Sequence, residues 1–109
     1  MTTTLSPLLD AFVTAKNTHD GAAFAACFAT DGIVHDEGRT HRGRPAIQTW
    51  FEDAVRKYRV TLTVTDVETC QDETVLTARV AGDFPGSPIE LRYCLNIGDG
   101  KIRGLSIGG

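Results

Sequence analysis

The chain has 109 residues, of which 41% are hydrophobic and 23% charged, a composition that favours one domain with its own apolar core and excludes an intrinsically disordered protein. Its 11 basic and 14 acidic residues give a net charge of −3, and neither half of the sequence is basic. Because nucleic acids and anionic membrane surfaces bind basic faces, we expect neither of them as a partner.

The first predicted helix begins at Ser6 and Pro7, a capping residue followed by a first-turn proline. Apolar residues then recur at helical spacing, which predicts a helix to about Thr18. Lys16 falls on the apolar stripe of this helix. We interpret it as a residue whose alkyl stem packs on the core while its ammonium reaches solvent in the last turn.

A second, alanine-rich helix is predicted after its capping residue, Asp20. It continues through Phe28 and is stopped by the Asp-Gly pair at 31–32. Two short extended segments follow, separated by a turn, and the strands are expected at Ile33–Asp36 and Thr40–Arg42.

The clearest element is a third helix from Pro45 to Tyr58. On a helical wheel its polar residues occupy one half, so the helix has a single face to bury. The apolar residues of the other half are Ala46, Ile47, Trp50, Phe51, Ala54, Val55 and Tyr58.

Alternation of apolar and polar residues predicts four longer strands in the rest of the chain. Val60, Leu62 and Val64 alternate with threonines, and the phase then slips at 66–67, as a β-bulge would make it do. Short links make these strands an antiparallel meander, so the predicted fold class is α+β. The other three strands are expected at Glu73–Phe84, Ile89–Ile97 and Lys101–Ile107.

The cysteines point to a reducing compartment. Cys27, Cys70 and Cys94 are odd in number and lie in or beside apolar segments, without the paired spacing of a zinc site or the density of a disulfide framework. No apolar run approaches the roughly 20 residues that cross a bilayer. We therefore expect reduced thiols and a cytoplasmic location.

A curved sheet packed around one amphipathic helix leaves an apolar pocket as a by-product. Alternation puts Val34 and Asp36 on one face of the first strand, and puts Tyr93 with the apolar set of the fifth. A carboxylate with apolar neighbours is poorly solvated and suits a general base, so Asp36 is the candidate base. The alternative is a solvated turn residue that bonds to the backbone near Gly38.

Four potential metal ligands, His35, Asp36, Glu37 and His41, fall in one short segment. Alternation divides such neighbours between the two faces of the sheet, and their spacing matches no firm metal motif. The sequence also has no glycine-rich phosphate loop and no nucleophile elbow. We expect neither a metal nor another cofactor.

Several segments carry a family resemblance: Phe12–Ala15 with Asn17 and Asp20 after it, Phe28–Asp36, Arg42–Ile47 and Asp99–Ile102. In order and spacing they resemble the nuclear-transport-factor-2-like superfamily, in particular its SnoaL-like and ketosteroid-isomerase-like members, over almost the whole chain. The resemblance implies a single domain over residues 1–109. It also implies a cone-shaped, curved antiparallel sheet closed by three N-terminal helices around a ligand pocket, a cystatin-like α+β barrel. Many members dimerise through the outer face of the sheet, which implies a homodimer here.

The resemblance also implies roles for individual residues. In the isomerases an aspartate after the second helix shuttles a proton beside a carbonyl, and Asp36 matches it by position. A tyrosine and a protonated aspartate of the isomerases stabilise the enolate oxygen. At the positions of Phe12 and Phe51 the isomerases can have tyrosines, whose hydroxyls are absent from this chain. Tyr93 lies near the position of the protonated aspartate. Loss of an oxyanion donor costs on the order of 100-fold in rate, so efficient steroid isomerisation is not expected.

Two functions of different class remain. In the first, the protein is an enzyme in which Asp36 takes a proton from a small apolar carbonyl compound and Tyr93 donates to the enolate, for isomerisation or an aldol-type cyclisation. In the second, it is a noncatalytic ligand-binding or dimeric scaffold protein, with Asp36 at the mouth and Lys16 as an anchor for an acidic ligand. The expected pocket residues are Phe12, Lys16, Phe28, Val34, Trp50, Phe51 and Leu95.

Overall fold

The computed structural model describes residues 5–36, 38–70 and 73–108. These residues form the helices α1 (Pro7–Thr18), α2 (Gly21–Ala26) and α3 (Arg44–Tyr58). They also form the strands β1 (Phe28–Asp36), β2 (Arg39–Arg42), β3 (Thr61–Cys70), β4 (Glu73–Ala81), β5 (Ile89–Gly98) and β6 (Lys101–Gly108). The predicted turn residues Glu37, Gln71 and Asp72 lie outside the described residues.

The six strands form one sheet in the order β2-β1-β6-β5-β4-β3. Strands β3 to β6 are an antiparallel meander, as predicted, and β1 extends the sheet by pairing parallel to β6 and antiparallel to the edge strand β2. The helices cover the concave face of this curved sheet, and the arrangement confirms the predicted α+β fold. No helix in the described part of the chain is long and apolar enough to cross a membrane.

Helix α1 has the predicted ends. The Ser6 hydroxyl accepts a hydrogen bond from the Leu9 backbone at 3.3 Å, and His19 ends the helix in the left-handed region, with φ 58°. The helix is attached to the sheet by Asn17, whose amide accepts from the Leu62 backbone N–H at 2.8 Å and donates to the Leu62 carbonyl at 3.0 Å. Both bonds tie the last turn of α1 to β3, an edge strand of the sheet.

Helix α2 ends at Ala26, earlier than predicted, and β1 begins at Phe28, earlier than the expected Ile33. The reason is tertiary pairing: Phe28 lies beside Ile102 in β6, and the Ile102 N–H donates to the Cys27 carbonyl at 2.9 Å. The register shifts between Phe28 and Ile33. The Asp-Gly pair at 31–32 therefore lies in a strand irregularity and does not stop a helix.

The bulge in β3 is confirmed, since its register with β4 shifts between Val64 and Asp66. Strand β4 ends at Ala81, before the predicted Phe84. The Asp83 N–H turns away from the sheet and donates to the Tyr58 carbonyl at 2.7 Å. This bond brings the β4–β5 loop beside the end of α3, at the open end of the cone.

Aromatic rings dominate the core. Phe24 stacks on Phe51 at a centroid distance of 4.1 Å, and Phe12 and Phe28 lie 5.4 and 5.3 Å from Phe24. All four side chains are buried. These rings pack α1, α2 and α3 against one another and against β1. The three helices and β1 therefore form one packed unit that faces the rest of the sheet.

The cysteines described in the structure are free thiols. Cys27 is buried and its thiol donates to the Ala23 carbonyl at 3.4 Å. Burial raises the pKa of Cys27, although Lys101 opposes the rise. Cys94 is half-buried on the outer face of β5. The side chain of Cys70 lies outside the described residues.

Candidate active site

An inner cavity of about 340 Å³ lies between α1, α3 and the concave face of the sheet, near the lower end of the usual range for small-molecule pockets. Most of its wall is apolar. Its lining residues are Lys16, Asp36, Trp50, Ala54, Tyr58, Val60, Val80, Phe84, Pro85, Ile89, Leu91, Tyr93 and Ile107.

Local periodicity explains why most of these side chains point inward. Trp50, Ala54 and Tyr58 are four residues apart on α3 and form one stripe along the helix. Ile89, Leu91 and Tyr93 alternate along β5 and lie on its concave face. The cavity forms where these two apolar rows stand apart.

Lys16 is the cation of the inner cavity. It is 5% exposed, so the expected route of its ammonium to solvent is wrong. Its Nζ lies between 5.3 and 5.9 Å from four ring centroids, those of Phe12, Phe24, Phe51 and Tyr93. Ring faces attract a cation at this range and replace part of its lost hydration. The spacing that places Lys16 four residues after Phe12 also directs it into the core.

Burial lowers the pKa of Lys16 to about 8, although the negative charge of Asp36 opposes this change. The ammonium and the neutral amine are therefore both present near neutral pH. Asp36 and Lys16 line the same cavity and interact electrostatically.

Tyr93 lies between the core and the cavity. It is 2% exposed, and its ring meets that of Phe12 edge-on at 6.1 Å. Burial raises the pKa of Tyr93 well above its ordinary value, and the nearby charge of Asp36 raises it further. The hydroxyl therefore stays protonated over the physiological range and can donate a hydrogen bond to an oxygen in the cavity.

Asp36 ends β1 at the junction of two pockets, and its side chain is half-buried. On the other side of it lies an outer vestibule of about 420 Å³. The vestibule shares Asp36, Trp50, Ala54 and Tyr58 with the inner cavity, and it adds the polar residues Arg39, His41, Asp53 and Lys57. The site thus consists of two adjoining pockets, one largely apolar and the other polar.

The structure brings together four of the predicted site residues, since Lys16, Asp36, Trp50 and Tyr93 all line the inner cavity. The other five predicted pocket residues are not among the lining residues. They are buried in the core behind the wall: Phe12, Phe28, Val34, Phe51 and Leu95. They share the buried faces of their elements, but the neighbouring side chains lie between them and the void.

Many residues that line the inner cavity were not predicted from the sequence, although the periodicity of their helix or strand indicates some of them. Ala54 and Tyr58 follow Trp50 on the predicted apolar face of α3, and Leu91 shares a strand face with Tyr93. The wall formed by Phe84 and Pro85 had no such signal, because these residues come from a loop with no period.

As alternation predicts for neighbours in a strand, His35 and Asp36 lie on different faces of β1. His35 points to the exposed side of β1, where its Nδ1 lies 3.2 Å from the Thr40 hydroxyl. The His41 ring lies against Trp50, with centroids 5.6 Å apart, at the vestibule. Among the described residues, no three His, Cys, Asp or Glu side chains are grouped as a metal ion would require.

Known proteins share this architecture. The family model of the SnoaL-like domain matches residues 9–104. The structure of a candidate polyketide cyclase from Sinorhizobium meliloti is 33% identical to the chain, with a TM-score of 0.91 and 95% of each chain covered. A ketosteroid isomerase-like fold from Catenulispora acidiphila, solved with trimethylamine, is 22% identical, with a TM-score of 0.86 over 97% of this chain and 87% of that chain. No curated protein matches the chain.

Proposed function

The chain belongs to the SnoaL-like domain family, and on this premise we propose that it is a proton-transfer enzyme for a small, mostly apolar carbonyl compound. In this proposal Asp36 removes a proton from the carbon beside the carbonyl, and the Tyr93 hydroxyl donates to the enolate oxygen that results. One observation carries the proposal: Asp36 and Tyr93 line a single cavity whose remaining wall is largely apolar.

The chemistry needs two groups with opposite tasks. The carboxylate of Asp36 takes the proton, and the electron pair of the broken C–H bond becomes the enolate. Return of the proton to another carbon gives isomerisation, whereas attack of the enolate on a second carbonyl gives an aldol-type cyclisation. The likeness to the candidate polyketide cyclase from Sinorhizobium meliloti supports the cyclisation.

The enolate donor is the protonated hydroxyl of Tyr93. A phenol that stays neutral can donate a hydrogen bond to the developing charge, and the low polarity of the cavity strengthens that bond. This single donor replaces the hydroxyls that are absent at Phe12 and Phe51. Slow steroid isomerisation remains the expectation.

The outer vestibule limits the kind of ligand. Arg39, His41 and Lys57 line it together with Asp36 and Asp53. A ligand that fills the inner cavity with its apolar part would leave its polar end among these charged groups. We expect amphipathic ligands to bind more tightly than hydrocarbons of equal size.

Noncatalytic binding of an acidic ligand is the second candidate function, and the buried ammonium of Lys16 is the observation that favours it. A carboxylate that enters the cavity would pair with this cation in a poorly hydrated site. In that case Asp36 is a neighbour of the ligand and transfers no proton.

Deuterium exchange separates these functions without knowledge of the natural substrate. The probe is 2-tetralone, a bicyclic ketone with acidic C–H bonds beside its carbonyl, and NMR in D₂O follows the exchange. We expect the wild type to accelerate exchange, Asp36→Asn to lose about 100-fold or more of this acceleration, and Tyr93→Phe to lose about 100-fold. Binding is followed separately by the fluorescence of Trp50, the only tryptophan of the chain.

Asp31→Asn is the matched control, because Asp31 lies on the same strand as Asp36 but is exposed and outside the inner cavity. It should exchange 2-tetralone at the wild-type rate. Equal exchange in the wild type and Asp36→Asn, with the ketone bound to both, would remove Asp36 from the reaction. Binding of 2-tetralone without any exchange would favour the noncatalytic function.

A further inference from the structure

The chain has three lysines, and they lie in very different surroundings. Lys57 and Lys101 are exposed, whereas Lys16 is buried with its Nζ among four aromatic rings. Lys16 also lines the inner cavity, together with Asp36 and Tyr93. A primary amine, a carboxylate and a phenol therefore face one small apolar space.

We infer that the Lys16 amine forms an imine with an aldehyde or ketone held in the inner cavity. The inference rests on the carbonyl-binding cavity of the proposed function, but it does not require proton removal by Asp36. It makes Lys16 a covalent catalytic residue and narrows the ligand class to carbonyl compounds unhindered enough to accept an amine.

The reaction balances without any further reagent. The nitrogen lone pair of the neutral amine attacks the carbonyl carbon, and the C=O pair moves to oxygen. A proton passes from nitrogen to that oxygen to give the carbinolamine. The C–O bond then breaks, a C=N bond forms, and one water molecule leaves. Asp36 is placed to carry protons between the nitrogen and the oxygen during these steps.

The surroundings of Lys16 suit the product as well as the reactant. A protonated imine is a cation, so the ring faces and the Asp36 carboxylate that attract the ammonium also stabilise it. A protonated imine withdraws electrons from the neighbouring carbon and makes its C–H bonds more acidic, which is the property that proton transfer needs.

The protonation state of Lys16 supports this chemistry. With its pKa lowered to about 8, the neutral fraction near pH 7 is on the order of 100-fold larger than in an ordinary lysine. Asp36 and Tyr93 face Lys16 within the cavity, and Arg39, His41, Asp53 and Lys57 lie beyond them in the vestibule. Tyr93 remains neutral, so Asp36 is the charged neighbour that acts on the amine inside the cavity.

Reductive trapping tests the inference. Benzaldehyde and sodium cyanoborohydride are added near pH 7, and the reduced, stable benzyl adducts are located by peptide mass spectrometry. We expect Lys16 to be labelled at least about tenfold faster than Lys57 and Lys101, which serve as internal controls in the same chain. An excess of 2-tetralone should slow labelling at Lys16 and leave labelling at Lys101, which lines neither the inner cavity nor the vestibule, unaffected.

The outcomes separate this inference from the proposed function. Equal labelling of all three lysines, or no labelling of Lys16 while benzaldehyde quenches Trp50, overturns the imine and leaves the deuterium-exchange test of Asp36 untouched. Benzoate that quenches Trp50 in the wild type but not in Lys16→Met, together with no trapping at Lys16, overturns the imine in favour of an anion anchor. Thermal unfolding of Lys16→Met verifies that the variant is folded.

Discussion

The buried charge of Lys16 gives a prediction about stability that needs no ligand. In the folded protein the pKa of Lys16 is about 8, whereas the ordinary value is 10.5. Each pKa unit corresponds to about 1.4 kcal/mol, so holding the charged form in the core costs about 3 kcal/mol at neutral pH. Lys16→Met keeps a side chain of similar length and removes the charge. We expect this variant to be more stable than the wild type near pH 7.

This cost is a net quantity, because the pKa of Lys16 already reflects the attractions that the charged form makes in the core. Near pH 7 we therefore expect Lys16→Met to unfold with a free energy up to about 3 kcal/mol higher than that of the wild type.

The sign of the pH dependence follows from proton binding. Below pH 8 both the folded and the unfolded chain hold the proton, and the full cost applies. Between about pH 8 and 10.5 the unfolded chain keeps the proton while the folded chain releases it, so this group makes the wild type more stable as the pH rises. The advantage of Lys16→Met should therefore shrink above about pH 8 and be largely lost by about pH 10.5.

Urea unfolding of both proteins at several values between about pH 7 and pH 10 measures this difference. The raised pKa of Tyr93 has the opposite effect above about pH 10, but Tyr93 is present in both proteins and its contribution largely cancels. Lys57→Met, which removes an exposed lysine, should show no such trend. A pH-independent difference between the wild type and Lys16→Met would refute the reasoning.

Two further predictions concern the scaffold. Asn17→Ala removes both hydrogen bonds to Leu62 and should lower the free energy of unfolding by about 1 to 3 kcal/mol. Thr14→Ala, at an exposed site on the same helix, should change it by less than about 0.5 kcal/mol. Equal effects of the two substitutions in urea unfolding would contradict the attachment of α1 to the sheet through Asn17. The family resemblance implies a homodimer, so light scattering of the wild type should give twice the mass of the chain. Val75→Glu places a charge on the outer face of the sheet and should give the mass of a single chain. A single-chain mass for the wild type would contradict the dimer.

Periodicity predicted most of the fold because burial requires it. The single apolar face of α3, the alternation in β5 and the bulge near Asp66 are all visible in the order of residue types. The same alternation placed Asp36 on the face of Val34 and Tyr93 on the concave face, which is where the structure has them. These features depend on neighbours within a few residues, so a single sequence contains them.

Features that depend on distant segments had no such signal. Phe28 looked helical, and its pairing with Ile102 in β6 made it a strand residue. The parallel contact of β1 with β6 likewise joins segments far apart in the chain.

A period shows which face of an element is buried, but not which buried residues border a void. The five predicted pocket residues that lie behind the wall and Lys16, which lies within it, occupy equally apolar stripes. Whether such a residue borders the cavity depends on the distance between the helices and the sheet at that point. The packing of all the side chains together sets this distance. The sequence by itself determined the buried faces and the acid-bearing strand, and the tertiary structure decided that an amine, a carboxylate and a phenol share one cavity.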